Sequence, residues 1–282
     1  MLSLHTNNAA LSAQNSISRT QSTLSISMTR LSTGYRINSA MDDAAGLQIA
    51  SRLKAQTSGM TVAMRNTQNS TSMLQTAEGA LDEVSNMLIR MKDLATQAAD
   101  ASSTDDDVVA MQAEYDALGL ELGNVMRNTT FGGKELFVGG TLAANMTFQI
   151  GASSSETMAV NLSGDLTTLT TALATATTNY TTGATGTELS AAGDAIGDLS
   201  DALDAVGVVR SGLGAAANRL EHVYNNLANI STNTKAATGQ ITDVDFASES
   251  ANMTSNQMLL QASTAMLKQS NSMSSMVMSL LQ

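Results

Sequence analysis

The stretch AAGLQIASRLKAQTSGMTVAMRNTQNSTSMLQTAEGALDEVSNMLIRMKDLATQAA, residues 44–99, decides the fold. Leu53, Met60, Leu74, Leu81 and Leu88 recur on one heptad position with the polar Thr67 as the single interruption, and Ala77, Val84 and Met91 continue a neighbouring row. A repeat of seven keeps one stripe of an α-helix turned toward a partner. Neither Pro nor an Asn-Gly turn interrupts the run, so the spacing predicts a single helix of roughly 80 Å at the usual helical rise. Such a helix is not stable alone and needs partner helices for its seam.

Toward the N-terminus the same periodicity returns. Ala10, Ile17, Leu24 and Leu31 fall at sevens, with Met28 adding a second row. Gly34 then ends the run as a cap or bend. Asp42 and Asp43 precede the long helix, where carboxylates suit a helix N-terminus. On the other side, residues 100–107 form a polar turn ahead of a third helix expected from about Val108 to Asn128. Asp105, Asp106 and Asp107 are contiguous, whereas calcium loops alternate their carboxylates so that several converge on one ion, so they read as a helix cap and not as a metal site.

The middle of the chain breaks the pattern. Gly132-Gly133 marks a turn, and residues 147–150 and 158–162 alternate like strands around the loop 151–157, which reads as a β-hairpin. Residues 163–188 are mostly Thr, Ala and Gly and are expected to support little core and to lie at the surface. Helix resumes near Leu189 and runs toward Thr238, with Leu213, Leu220 and Leu227 on one row and Ala216, Val223 and Ile230 on the next. After Gly239 a last segment carries Phe246, Met253, Leu260 and Leu267 at sevens, and Leu259, Met266, Met273 and Leu280 beside them. The fold class expected is mainly α: a long antiparallel helical bundle with coiled-coil-like terminal helices and a small β-hairpin in the central region.

Composition narrows the function. The 282 residues include no Pro and no Cys, so nothing breaks long helices and no disulfide or thiolate metal site is available. The 43% hydrophobic content draws on Ala, Leu and 18 Met, with only 3% aromatic residues, which favours helix packed on helix over an aromatic-lined pocket. A net charge of −11 argues against nucleic acid. No apolar run approaches the roughly 20 residues that span a bilayer, so no membrane insertion is expected. The N-terminus Met1-Leu2-Ser3-Leu4-His5-Thr6 has no cleavable signal pattern, so the chain is expected to be cytoplasmic or exported by a route without one. Catalysis is not expected. The histidines, His5 and His222, lack a His-Glu-x-x-His spacing, no Gly-x-Ser-x-Gly elbow occurs, and Gly183/Gly186 and Gly212/Gly214 are too sparse for a phosphate loop. No cofactor is called for.

The terminal segments resemble bacterial flagellin. The block Leu31-Ser-Thr-Gly-Tyr-Arg-Ile-Asn-Ser-Ala-Met-Asp-Asp-Ala-Ala-Gly-Leu-Gln-Ile-Ala50 is similar to the family's most recognisable stretch, departing at Tyr35 and at Met41, where Lys is usual. Thr76–Leu81, Asn128–Lys134 (with Gly132 where Asn is common), Gly214–Leu220, Ile241–Phe246 and Ser279–Leu281 follow the family pattern too, while Ser274 stands where many members have Pro. The resemblance covers about residues 1–137 and 190–282. It implies an inner helical layer built from both ends (1–42 and 243–282), an outer helical domain (43–137 and 190–242), and a hairpin with a short variable surface insert (138–189). It further implies a secreted, extracellular subunit that self-assembles into the flagellar filament for motility.

On that reading the terminal stripes, Ile17, Leu24, Leu31, Phe246, Met253, Leu260, Leu267 and Leu280, are the polymer-packing residues. One narrow row over about 40 residues does not offset an ordering cost of roughly 1 kcal/mol per residue, so both ends are expected to be disordered or fraying in the monomer and to become helical when neighbouring copies supply the missing seams. The resemblance also implies an export chaperone, a filament cap and hook-junction proteins as partners. Arg90, Leu94 and Glu114, with Lys92 and Gln97 nearby, match positions through which flagellins engage an animal Toll-like receptor, although Ile89, Asp93 and Thr96 depart from the usual pattern. Residues 29–50 resemble the stretch sensed by plant immune receptors. The alternatives are a hook-filament junction protein, which shares flagellin's terminal helices, and a secreted coiled-coil binding module, which would form small closed oligomers.

Overall fold

A computed structural model describes residues 7–183 and 185–280, the side chains of residues 182 and 274–280 excepted. His5, the side chain of Leu280, and Leu281 therefore lie outside the described residues. The contacts divide the chain into two compact units, residues 57–231 and the two ends, 1–56 with 232–282.

In the first of these units the stripe on the long helix is buried nearly throughout. Helix α2 spans Ala44–Ala98. Met60, Ala63, Leu74, Ala77, Leu81, Val84, Leu88, Met91 and Ala95 keep the three-four rhythm of a bundle seam and are at most 5% exposed. Thr67, the polar interruption, is 1% exposed. It stays in the seam because its hydroxyl donates to the Ala63 carbonyl of the preceding turn at 2.9 Å, leaving no orphaned donor.

Helix α3, Asp105–Asn128, returns beside α2. It begins at the first of the three aspartates rather than after them. Thr104 is the N-cap: its side chain accepts from the Asp107 N–H while the Asp107 carboxylate accepts from the Thr104 N–H at 3.1 Å, a closed capping box. The Asp107 carboxyl is accordingly held below the ordinary carboxylate value, chiefly by the Thr104 hydroxyl.

Two hairpins follow. Strands β1 (Thr130–Phe131) and β2 (Lys134–Glu135) pair across Gly132 and Gly133, whose φ values of 59° and 81° are the positive pair that a tight two-residue hairpin turn demands. Strands β3 (Met146–Gln149) and β4 (Thr157–Val160) pair antiparallel in the register Met146↔Val160 to Gln149↔Thr157. Met146, Met158 and Val160 point inward, and the predicted hairpin is thus found within a residue or two of its expected limits.

The Thr-rich stretch after the hairpin overturns the expectation of a surface segment with little core. Residues Ser163–Ala176 form helix α4, and Leu166, Leu169, Leu173 and Ala176 are at most 3% exposed within the main core. Steps of three, four and three put these side chains on one face. Thr167, Thr168, Thr171 and Thr175 occupy the exposed face and return their hydroxyls to carbonyls four residues back, so a threonine-rich helix leaves no donor stranded there. A short helix α5, Asn179–Thr182, and the single turn Glu188–Ala191 then lie against α3.

Helix α6 spans Ala192–Thr242 and passes through Gly239 without a break. It runs antiparallel to α2: Arg210 meets Asp82 at 3.0 Å, and Leu227 packs with Met60 and Ala63. Leu199, Ala202, Val206, Val209, Leu213, Ala216 and Leu220 supply its buried seam. The second row read from the sequence holds to Val223, but Ile230 is 38% exposed and Ser231 takes the inward position at 4%. The three-four rhythm has slipped by one residue where the unit ends.

Candidate functional site

The two ends form the other unit. Helix α1 spans Asn8–Thr33 and helix α7 spans Phe246–Leu280. Ala10, Ala13, Ile17, Thr20, Leu24, Ser27 and Leu31 on α1, and Glu249, Met253, Asn256, Leu260, Ser263, Leu267 and Ser270 on α7, follow the three-four rhythm and, with Arg30, are the described residues of these helices that are not exposed. The pair is antiparallel. Asn7 donates to the Ser270 hydroxyl at 3.1 Å at one end, while Arg30 sits 3.7 Å from Glu249 near the other.

Most of this seam is only half-buried. Ser27 at 2% and Glu249 at 8% are its deeply buried members, and both are polar. Both clusters of buried apolar side chains among the described residues lie within 57–231. Among its described residues the terminal unit therefore has no closed apolar core of its own.

What closes the unit is the turn between α1 and α2. Gly34 caps α1 with φ of 77°, and its N–H donates to the Arg30 carbonyl at 2.9 Å. The chain then runs beside residues 241–244: Arg36 N–H donates to the Thr242 carbonyl at 2.7 Å, Val244 N–H to the Gly34 carbonyl at 3.0 Å, and the Arg36 guanidinium to the Ile241 carbonyl at 2.7 Å. Ile37 fills the interior at 6% exposure. Asp42 accepts from the Ser39 and Asn38 N–H groups at 2.9 and 3.0 Å, and these bonds hold its carboxyl below the ordinary value. Asp43 accepts from the Gly46 N–H at 2.8 Å at the head of α2. The blocks Leu31–Ala50 and Ile241–Phe246 thus meet in one knot of backbone.

On the outside, apolar side chains remain in water. Leu11, Ile26 and Met28 of α1 are 44–50% exposed, and Phe246, Met258, Leu259, Met266 and Met273 of α7 are 52–67% exposed. In the sequence Met28 and the Leu259 row stand as second rows beside the sevens, but their described members do not turn inward. Instead the second inward rows are Ala13, Thr20 and Ser27 on α1 and Glu249, Asn256, Ser263 and Ser270 on α7, smaller or polar groups that allow close approach. The larger side chains face out. Of the expected packing residues, Ile17, Leu24, Leu31, Met253, Leu260 and Leu267 sit half-buried in the seam, and Phe246 is exposed against the Gly34 side of the turn. Hydrophobic sevens mark a helix face but do not say which of two adjacent faces meets the sister helix.

The other named residues lie in 57–231. Arg90 and Glu114 pair across α2 and α3 at 2.6 Å and are about half exposed. Leu94 is 2% exposed and belongs to the core. It offers no surface to a partner. His222 is exposed on α6. Among the described residues no group of His, Cys, Asp or Glu has the geometry to hold a metal ion, and no helix is long and apolar enough to cross a membrane.

Sequence reasoning missed one cluster altogether. Gln112 and Asp116, both buried on α3, hold the loop after α5: Gln112 donates to Asp116 and Glu188 at 2.8 Å each and accepts from the Leu189 N–H at 2.9 Å, while Asp116 accepts from the Gly186 N–H at 3.2 Å. Burial would raise the Glu188 carboxyl, but the Thr178 N–H and hydroxyl, with Gln112, bring it below its ordinary value. Gly119 and Gly123, four apart on α3, are the only signal of this docking in the sequence: a Cβ on Gly119 would stand 2.6 Å from the Thr177 hydroxyl.

Fold and surface together define a class: an α-helical bundle whose two chain ends pair as one unit that is left without a closed core. The chain belongs to the bacterial flagellin family. The family's N-terminal helical region matches residues 4–141 and its C-terminal helical region residues 196–281. A flagellin of Halalkalibacterium halodurans is 38% identical over 256 residues, 90% of each chain. Polar flagellin F of Vibrio parahaemolyticus is 46% identical over 161 residues, 57% of this chain and 42% of that protein. The chain thus spans less than half the length of several curated relatives it matches. A solved putative flagellar hook-associated protein from Vibrio parahaemolyticus shares the fold, with a TM-score of 0.56 at 17% identity, over 72% of this chain and all of that one.

Proposed function

We propose that this chain is a structural subunit of the bacterial flagellar filament and that α1 and α7 are its polymerising part. The observation that carries the proposal is the terminal unit's missing core: a half-buried seam inside and a row of large apolar side chains outside, from Leu11 to Met273. Burying such a row against a further copy returns about 2 kcal/mol per large side chain. Because one copy's row docks on an unlike surface of the next, the contacts propagate as a helical polymer instead of closing. Residues 1–42 and 243–282 then form the inner layer, and 43–137 with 190–242 the outer one. Residues 138–189 pack on the outer layer through β3, β4 and α4.

The role is structural rather than catalytic, and its place is outside the cell, in the filament. By resemblance the export chaperone, the filament cap and the hook-junction proteins are its partners. Arg90 and Glu114 are the exposed pair through which an animal immune receptor would grip the chain, with Leu94 supporting them from beneath, and residues 29–50 are the stretch for a plant receptor. Family membership favours the filament subunit over a junction protein, and the hook-associated structure speaks to fold alone.

Purified full-length chain added to filament seeds tests the reading by electron microscopy. The expected outcome is long filaments from the parent chain and none from a Leu259→Glu, Met266→Glu variant whose monomer melts like the parent. A parent chain that adds only a few layers to a seed would indicate the junction protein. One that forms small closed oligomers would indicate a coiled-coil binding module. Either result sinks the filament reading.

A further inference from the structure

Among the described residues the methionines of 57–231 are buried or half-buried, and most of those on the two terminal helices are exposed. Met60, Met91, Met111, Met126, Met146 and Met158 are buried at 9% exposure or less, all within residues 57–231. Met28 on α1 and Met258, Met266 and Met273 on α7 are 50–67% exposed, and among the described residues they make up half of the large apolar side chains that the two terminal helices leave in water. Met41, at 96%, lies in the turn before α2 and off both helices. Thioether oxidation follows exposure, and a sulfoxide replaces a flexible apolar group by a polar one.

From this partition we infer that Met28, Met258, Met266 and Met273 are a reversible oxidation site that controls assembly. The inference rests on the proposed polymerising role of α1 and α7. A peroxide supplies the oxygen: its O–O bond breaks, a sulfur–oxygen bond forms on Sδ, the thioether is oxidised by two electrons, and the peroxide leaves as water after one proton passes to the departing oxygen. Met41, more exposed still, is oxidised as well, but it lies off both helices. The oxidised monomer keeps its core, because the methionines of its interior are shielded and Met64, Met73 and Met87 at its margin are half-buried. What it loses is the apolar character of the outward row, so the unit meant to dock on the next copy presents four dipoles where thioethers stood. The half-buried seam holds one described thioether, Met253, and its other inward residues are Leu, Ile, Ala and polar groups that peroxide leaves unchanged.

Full-length monomer treated with hydrogen peroxide, mapped by mass spectrometry and then added to filament seeds provides the test. Expected are sulfoxides at Met41 and at Met28, Met258, Met266 and Met273 with the six buried methionines intact, an unchanged melting curve for the core, and elongation slowed about tenfold for each interfacial sulfoxide. Methionine sulfoxide reductase with a thiol restores the rate without any mutation. A chain with all four replaced by Leu, a volume-conserving change, elongates normally and ignores peroxide, whereas Met41→Leu stays as sensitive as the parent. Untreated chain that elongates while fully oxidised chain elongates equally well overturns this inference and leaves the filament role standing. Untreated chain that never elongates overturns both.

Discussion

Gly34 occupies a left-handed conformation with φ of 77° at the end of α1, and a Cβ placed there would meet the Phe246 ring at an ordinary 3.7 Å. Space is therefore not the constraint; backbone conformation is. Gly34→Ala is expected to cost about 1 kcal/mol, read as an earlier denaturant midpoint for the terminal unit with the midpoint of the core unmoved. Gly46 is the opposite case: its φ is unexceptional, but a Cβ there would come within 2.8 Å of Ile37, so any side chain displaces the plug of the turn. Asp42 links the turn to pH. Its carboxyl titrates below the ordinary 3.8 because backbone N–H groups bind its ionised form. A depressed carboxyl stabilises above its unfolded value and loses that contribution as pH falls through the lower folded one. Amide exchange at Asn38 and Ser39 should therefore accelerate only in acid below pH 3.8, and Asp42→Ala should give the fast rate at neutral pH. The positions of Gly34, Asp42 and Asp43 were legible in the sequence as punctuation. Their partners were not, because Thr242 and Val244 lie some two hundred residues away.

At the scale of elements, period succeeded where average composition failed. Helix α2 was legible almost to the residue, since five large apolar groups at sevens outweigh one Thr, and that Thr bonds its own helix. Helix α4 was not, because five threonines in the 163–176 stretch hide three leucines on one face. Leu169→Ala, and separately Leu173→Ala, should each lower unfolding free energy by about 3 kcal/mol in a denaturant melt. A loss below about 0.5 kcal/mol would return α4 to the surface. Gly239 misled in the other direction. A glycine inside a strong helical pattern is tolerated at modest cost, and α6 continues past it to Thr242. The terminal rows mark the limit of what period alone can say. Met28, Leu259 and Met266 stand next to the true seam positions, and an offset of one residue rotates a side chain by roughly a quarter turn or more around the helix. Which face turns inward depended on the sister helix, whose Ser27, Glu249 and Ser270 offer the close approach that the large side chains deny.

For the whole molecule, the contrast between a core that is closed and ends that are not predicts a coupling of order to assembly. Ordering a terminal segment costs on the order of 1 kcal/mol per residue, and a half-buried seam with polar residues at its deepest points recovers only part of that. Mean helicity by circular dichroism is expected to rise from dilute monomer to filament at the same temperature, and equal helicity would remove the coupling while leaving the filament itself intact. The chain's own sequence determined that it is helical, that its ends carry matching stripes, that a hairpin sits in its middle, and that its terminal blocks are those of flagellin. All of these are local periodicities or short motifs, written in consecutive residues. Only the tertiary structure decided that α4 belongs to the core, that Gln112 and Asp116 tie down the loop before α6, that Leu94 is interior, and that Met28, Met258, Met266 and Met273 face out. Those depend on which side of each helix meets which neighbour, a choice made by packing between segments far apart in the chain.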